Sequence, residues 1–102
     1  MKETTRPVNN FDTTKFEELN FKNYPYPMGI GEHKQCIVQF SNGYGASIVQ
    51  SQYTYGGPDG LYELAVFGKD GSISYDTPVT SDVEGYLTED MVTSLLEQIQ
   101  KL

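Results

Sequence analysis

At 102 residues the chain accommodates one domain and is too short for two ordinary ones. Fourteen acidic side chains face seven basic ones, a net charge of −7, and a field of that sign repels phosphate backbones, which argues against direct nucleic-acid binding. A single cysteine excludes an intrachain disulfide, no apolar run approaches the roughly 20 residues of a membrane span, and residues 1–10 are polar, so the expected location is the cytoplasm, with no membrane partner.

Residues 1–12 carry no period and read as a mobile N-terminal arm before a single domain over 13–102. Thr14-Lys15-Phe16-Glu17 fits a capping box, in which side chains satisfy free backbone donors, and predicts a short helical turn through Leu19. Pro25 and Pro27 hold their predecessors extended, so residues 23–33 read as a connector. Residues 34–40 and 44–50 are strand-like. Asn42-Gly43 between them predicts a two-residue hairpin turn with both residues at positive φ. That turn sets Phe40 opposite Gly45, Val38 opposite Ser47 and Ile37 opposite Ile48. Residues 51–60, rich in tyrosine, glycine and proline, read as a loop.

Residues 61–67 and 72–76 form a second expected hairpin about the polar turn 68–71, with Val66 beside Ile73 and Leu64 beside Tyr75. Tyr62 shares that face, which is the expected core side. Residues 77–87 read as irregular and acidic. The final segment, 88–102, predicts an amphipathic helix: Thr88 as cap, Glu89 and Asp90 against the positive end of the dipole, and Leu87 and Val92 as a hydrophobic staple. Met91, Val92, Leu95, Leu96, Ile99 and Leu102 recur at three- and four-residue steps and form its apolar stripe. The expected fold is therefore α+β: an antiparallel sheet of about four strands, from hairpins over 34–50 and 61–76, packed against the helix over 88–102.

No catalytic or metal-binding constellation emerges. His33 and Cys36 are the only residues of their kinds and, three apart in a strand, point to opposite faces. Cys36 reads as a small buried hydrophobe and His33 as a surface residue. Two such ligands fall short of the three or four that zinc requires. Gly29-Ile30-Gly31 lacks the third glycine and the strand-to-helix setting of a dinucleotide fingerprint, and Gly43-Tyr44-Gly45 lacks the lysine of a phosphate loop. The carboxylates show neither glycosidase pairing nor a calcium loop. The expectation is a protein without enzymatic activity, cofactor or metal.

Charge and tyrosines carry the functional signal. Residues 1–40 balance five basic against five acidic side chains, whereas 41–102 hold two basic and nine acidic. No lysine or arginine lies between Lys69 and Lys101, a span with seven acids: Asp70, Asp76, Asp82, Glu84, Glu89, Asp90 and Glu97. Such a stretch attracts a basic protein surface. Of eight tyrosines, Tyr24, Tyr26, Tyr53 and Tyr55 sit in proline- or glycine-rich segments, where rigid aromatic area with a polar tip suits an interface. The expected partner-binding residues are Tyr53 and Tyr55 as anchors, with Asp76, Asp82, Glu84, Glu89 and Asp90 for steering and charge pairing.

Asn42-Gly43-Tyr44-Gly45-Ala46-Ser47-Ile48-Val49, Tyr53-Thr54-Tyr55-Gly56, Gly60-Leu61-Tyr62-Glu63-Leu64-Ala65-Val66, Asp76-Thr77-Pro78 and Gly85-Tyr86-Leu87-Thr88 resemble a group of small proteins encoded by tailed bacteriophages, over about residues 34–102. The group has no established activity, so the resemblance implies a phage or prophage origin and transfers no site residues. Phage accessory proteins of this size and acidity commonly inhibit host machinery. The resulting expectation is an inhibitor of a host protein with a basic, nucleic-acid-handling surface, of the anti-CRISPR or anti-defence kind. Two alternatives stand beside it. One is a nucleotide-signal sponge, which would need Lys22, Lys34 or Lys69 to converge on the ligand. The other is a structural protein acting as a homo-oligomer.

Overall fold

The computed structural model describes residues 8–25, 31–74 and 83–102. In chain order its elements are β1 (Asn10–Phe11), β2 (Lys22–Pro25), β3 (Glu32–Gln39), β4 (Gly45–Gln50), β5 (Tyr62–Phe67), β6 (Glu84–Leu87) and α1 (Glu89–Gln100). The fold is α+β, one sheet and one C-terminal helix, and the sheet is richer than expected. Among the described residues it has six strands, in the order β1-β3-β4-β5-β6 with β2 also beside β3. It is mixed, because β1 runs parallel to β3 while every other pairing is antiparallel.

The helix-facing side of the sheet is built in rows. Cys36, Ile48 and Leu64 lie side by side, and Val38, Ala46 and Val66 form the next row. Val92, Leu96 and Ile99 of α1 close over them, and all nine of these side chains are buried. A side chain of this size removed from water stabilises the fold by about 1.5–3 kcal/mol. Phe16, Leu19 and Phe21 extend the same cluster. β5 shows the cause plainly: its residues alternate between buried and half-buried, with Tyr62, Leu64 and Val66 inward, as a strand with one face on the core must. The opposite face carries Gln35, Ile37 and Ser47, also buried, with the Gln35 amide donating to Ser47 Oγ at 2.7 Å.

The helix starts where expected. Thr88 Oγ1 accepts the Met91 amide at 3.2 Å, and Leu87 and Val92 are both buried in the staple arrangement. Met91 departs from the expected stripe and is 50% exposed, since it leads Val92 around the helix onto the solvent side. Thr14 does not cap the turn at Phe16–Glu18. That turn is a 3-10 segment preceded by Lys15, and Phe16 instead donates its amide to Thr93 Oγ1 of α1 at 2.9 Å.

Both expected hairpin turns hold three residues, not two or four. Phe40 donates to the Tyr44 carbonyl and Gly43 to the Phe40 carbonyl; Gly68 and Gly71 repeat the pattern with Ser72 and Gly68. Only the glycines Gly43 and Gly71 take positive φ, at 97° and 85°. Asn42 Oδ1 and Asp70 Oδ1 each accept the amide two residues on. The extra residue shifts the first hairpin by one: Val38 faces Ala46, Ile37 faces Ser47 and Cys36 faces Ile48. In the second, Phe67 rather than Val66 bridges Ile73, and Ser74 donates its amide to the Val66 carbonyl at 2.8 Å. Tyr75 and residues 76–82 lie outside the described residues. β5 also pairs with β6, which lies within the stretch expected to be irregular.

The connector expected over 23–33 contributes β2 and the start of β3, which form a hairpin. Tyr26 lies outside the described residues. Of the residues read as an arm, 1–7 lie outside the description, whereas Asn10–Phe11 pairs with Val38–Gln39.

Candidate functional site

The tyrosine loop between β4 and β5 is locked by its own hydrogen bonds. Ser51 and Thr54 bond reciprocally, Thr54 Oγ1 accepting the Ser51 amide at 3.0 Å and donating to the Ser51 carbonyl at 3.1 Å. Tyr53 donates its amide to Ser51 Oγ at 3.0 Å, and Leu61 donates to the Gly56 carbonyl at 2.9 Å. A Cβ at Gly57 would collide with the Ser51 carbonyl oxygen, so the loop closes only around glycine there. On this frame Tyr53 and Tyr55 are 60% and 65% exposed. Tyrosine side chains, with only two rotatable bonds, present interface area from such a frame at low entropic cost.

The loop is also bonded to the edge strand. Tyr86 donates its amide to the Tyr55 carbonyl at 3.2 Å, and Tyr55 Cβ lies where a side chain at Gly85 would have to go. This docking sits at a β-bulge: Tyr62 pairs with Leu87 and Leu64 with Glu84, so Gly85 and Tyr86 together oppose Glu63. Tyr86 adopts φ 56° and is 60% exposed. The Glu63 carboxylate accepts the Tyr55 amide at 3.4 Å.

The register places these parts at one corner. The 51–60 loop, the start of β5, the end of β6 and the start of α1 share one end of the sheet, on the β6 side. Of the expected binding residues, Tyr53 and Tyr55 lie in the loop at this corner and Glu89 and Asp90 in the first turn of α1, whereas Glu84 begins β6 and pairs with Leu64, up the strand from it. Asp76 and Asp82 lie outside the described residues. Asp59 and Glu63 add carboxylates that the sequence reading did not select. Tyr86 was also missed. Its signal was the pairing Gly85-Tyr86, a bulge-compatible dipeptide in a stretch with no strand alternation.

The three lysines of the sponge alternative lie apart from one another. Lys69 lies at the opposite end of the sheet, 5.5 Å from the Tyr44 ring centre. Lys34 lies 5.2 and 5.3 Å from the ring centres of Phe21 and Tyr62, where its ammonium is held by the aromatic faces. Lys22 lines a different hollow, of about 610 Å³, from the 340 Å³ one that Lys34 borders.

Comparison with known proteins finds no match: no family model, no curated protein and no solved structure is significantly similar to the chain.

Cys36 and His33 point to opposite faces. Cys36 is fully buried, donates from Sγ to Asn10 Oδ1 at 3.3 Å, and has its thiol pushed from 9.0 to about 11 by burial, partly offset by a backbone hydrogen bond from Asn20. A thiol so placed is a poor nucleophile at neutral pH. His33 is buried rather than on the surface, its ring stacked on Tyr24 with centres 5.5 Å apart, because β2 covers the start of β3. Among the described residues no group of three or more His, Cys, Asp or Glu side chains could hold a metal ion, and no helix is long and apolar enough to cross a membrane.

Proposed function

We propose that this chain is a small acidic docking protein of phage origin, without enzymatic activity. It blocks a basic, nucleic-acid-handling protein of the host, as an anti-CRISPR or related anti-defence inhibitor does. The observation that carries this reading is the placing of the exposed Tyr53 and Tyr55, on a hydrogen-bonded loop tied to Tyr86, at the end of the sheet where α1 begins with Glu89 and Asp90. Exposed aromatics supply area that is desolvated on binding, and surrounding acids supply steering and orientation. The phage-protein resemblance over residues 34–102 supports the origin, and the net charge of −7 supports a cationic partner.

The test has two steps. The immobilised chain is exposed to bacterial extract, the retained protein is identified by mass spectrometry, and that protein is purified. Its nucleic-acid binding is then titrated with the chain. Stoichiometric displacement of the nucleic acid is the expected result. A partner that keeps its nucleic acid at saturating chain contradicts the inhibitory reading.

A further inference from the structure

We propose that Asn42 is a deamidation site gated by the fold: the closed hairpin tip protects its side chain, and an opened chain converts it to a carboxylate that no longer holds the end of α1. Asn9, Asn10, Asn20 and Asn23 are followed by Asn10, Phe11, Phe21 and Tyr24, whereas Asn42 is followed by a glycine. Glycine puts no side chain in the way of its own backbone nitrogen, which can then reach the carbonyl carbon of the preceding side chain. In the reaction the Gly43 nitrogen bonds to Cγ of Asn42 and the Cγ–Nδ2 bond breaks. Nδ2 leaves as ammonia, taking the proton from the Gly43 nitrogen. Water then opens the cyclic imide at either of its carbonyls and leaves aspartate or isoaspartate. The step needs water alone and changes no oxidation state.

In the folded chain every group that must move is engaged. The attacking nitrogen of Gly43 donates its proton to the Phe40 carbonyl at 3.0 Å. The leaving nitrogen, Nδ2, donates to the carbonyls of Ile99 and Gln100 at 2.9 and 3.0 Å, and Oδ1 accepts the Tyr44 amide at 2.9 Å. Attack and departure require these bonds to be given up, so the reaction waits on the hairpin tip parting from α1. The product then no longer fits. A carboxylate still accepts from Tyr44, as Asp70 accepts from Ser72 in the second turn, but it has no N–H to offer Ile99 and Gln100. It sets negative oxygen against carbonyl oxygens at the negative end of the helix dipole, beside a Ser41 whose amide already holds the Asp12 carboxylate. The stem of Lys69 lies against Gly43, but its ammonium is over the Tyr44 ring. Isoaspartate also lengthens the backbone of a turn that sets the register of the sheet. One opening of this corner can thus mark the molecule permanently.

The test holds the full wild-type chain at one temperature and one mildly alkaline pH, native in one sample and unfolded in guanidinium chloride in the other. The peptide carrying Asn42 is followed by mass spectrometry for the gain that accompanies replacement of NH2 by OH. The unfolded sample should convert at Asn42 at least about tenfold faster than the native one. Equal rates overturn the gate, and an unfolded chain that does not convert overturns the site. A second measurement tests the product. Asn42→Asp should unfold at a lower denaturant concentration than the wild type. Asp70→Asn, which exchanges the same two side chains at the matching position of the second turn, should shift the midpoint less. An Asn42→Asp chain as stable as the wild type, or equal shifts in the two turns, overturns the claim that deamidation releases α1. If Asn42→Asp fails to fold while Asp70→Asn folds, the claim is supported, and the wild-type rates still decide the gate.

Discussion

The side-chain amide of Asn42 donates to the carbonyl oxygens of Ile99 and Gln100, at 2.9 and 3.0 Å, so the tip of the first hairpin caps the end of the helix. The last carbonyls of a helix have no partner within it; here Ile99 accepts the Leu102 amide at 3.1 Å as well as the Asn42 amide, and Asn42 also serves Gln100. Asp12 adds a third strand of chain to the junction, its carboxylate accepting the Ser41 amide at 2.8 Å.

Asn42→Ala should therefore destabilise the fold by about 1–2 kcal/mol, measured by urea denaturation. Asp70→Ala is the matched control. Asp70 holds the same position in the second turn and accepts the Ser72 amide at 3.0 Å. Its removal should cost about 0.5 kcal/mol. Equal effects at the two sites would show that the turn, not the helix cap, dominates at Asn42.

The turns show a limit on what the sequence reveals. Asn-Gly fits a two-residue turn on local grounds, but both hairpins close in one pattern in which Asn42 or Asp70 accepts the amide two residues on and only the following glycine takes positive φ. The turn widens to three residues and every facing pair shifts by one. Likewise β6 was illegible because its bulge breaks the alternation that marks a strand, and β1 because a two-residue parallel strand has no period at all. The helix, its cap at Thr88 and the inward face of Tyr62, Leu64 and Val66 were legible because those signals are local. At the site, Tyr53 and Tyr55 were visible as exposed-type aromatics in a glycine-rich loop. Tyr86 was not, since only the fold reveals that it meets Tyr55.

The rigidity of the tyrosine loop depends on Gly57. Gly57→Ala drives a methyl group into the Ser51 carbonyl, and the expected destabilisation is roughly 2–4 kcal/mol. Gly60→Ala in the same loop meets no atom within 4 Å and suffers only from its φ of 80°, so it should cost about 1 kcal/mol. Thermal unfolding of the two variants checks the order. A Gly57→Ala protein as stable as the wild type would mean that the loop yields easily and does not present its tyrosines in a fixed arrangement.

Burial of Cys36 makes stability fall at alkaline pH. The folded chain holds the thiol proton up to about 11, whereas the unfolded chain releases it near 9.0. The folded state therefore binds more protons between those values, and its advantage declines as pH rises from about 9 to about 11, by at most about 3 kcal/mol. Cys36→Ala should lower stability at pH 7 and flatten its decline across that window, as read by denaturation at a series of pH values. In the native protein at pH 8, a thiol reagent such as dithionitrobenzoate should react only as fast as the chain opens. Rapid stoichiometric labelling of folded protein would contradict this placement of the thiol.

The account turns on carboxylates drawing a basic partner to the tyrosine corner, and association kinetics measure this most directly. The association rate with the partner protein is followed by stopped flow at several salt concentrations, for the wild-type chain and for Glu84→Lys/Glu89→Lys/Asp90→Lys. The account predicts a wild-type rate that falls steeply with salt, and a variant slowed by about tenfold or more at low salt that converges on the wild type at high salt. Equal rates for the two proteins, with no dependence on salt, would contradict it.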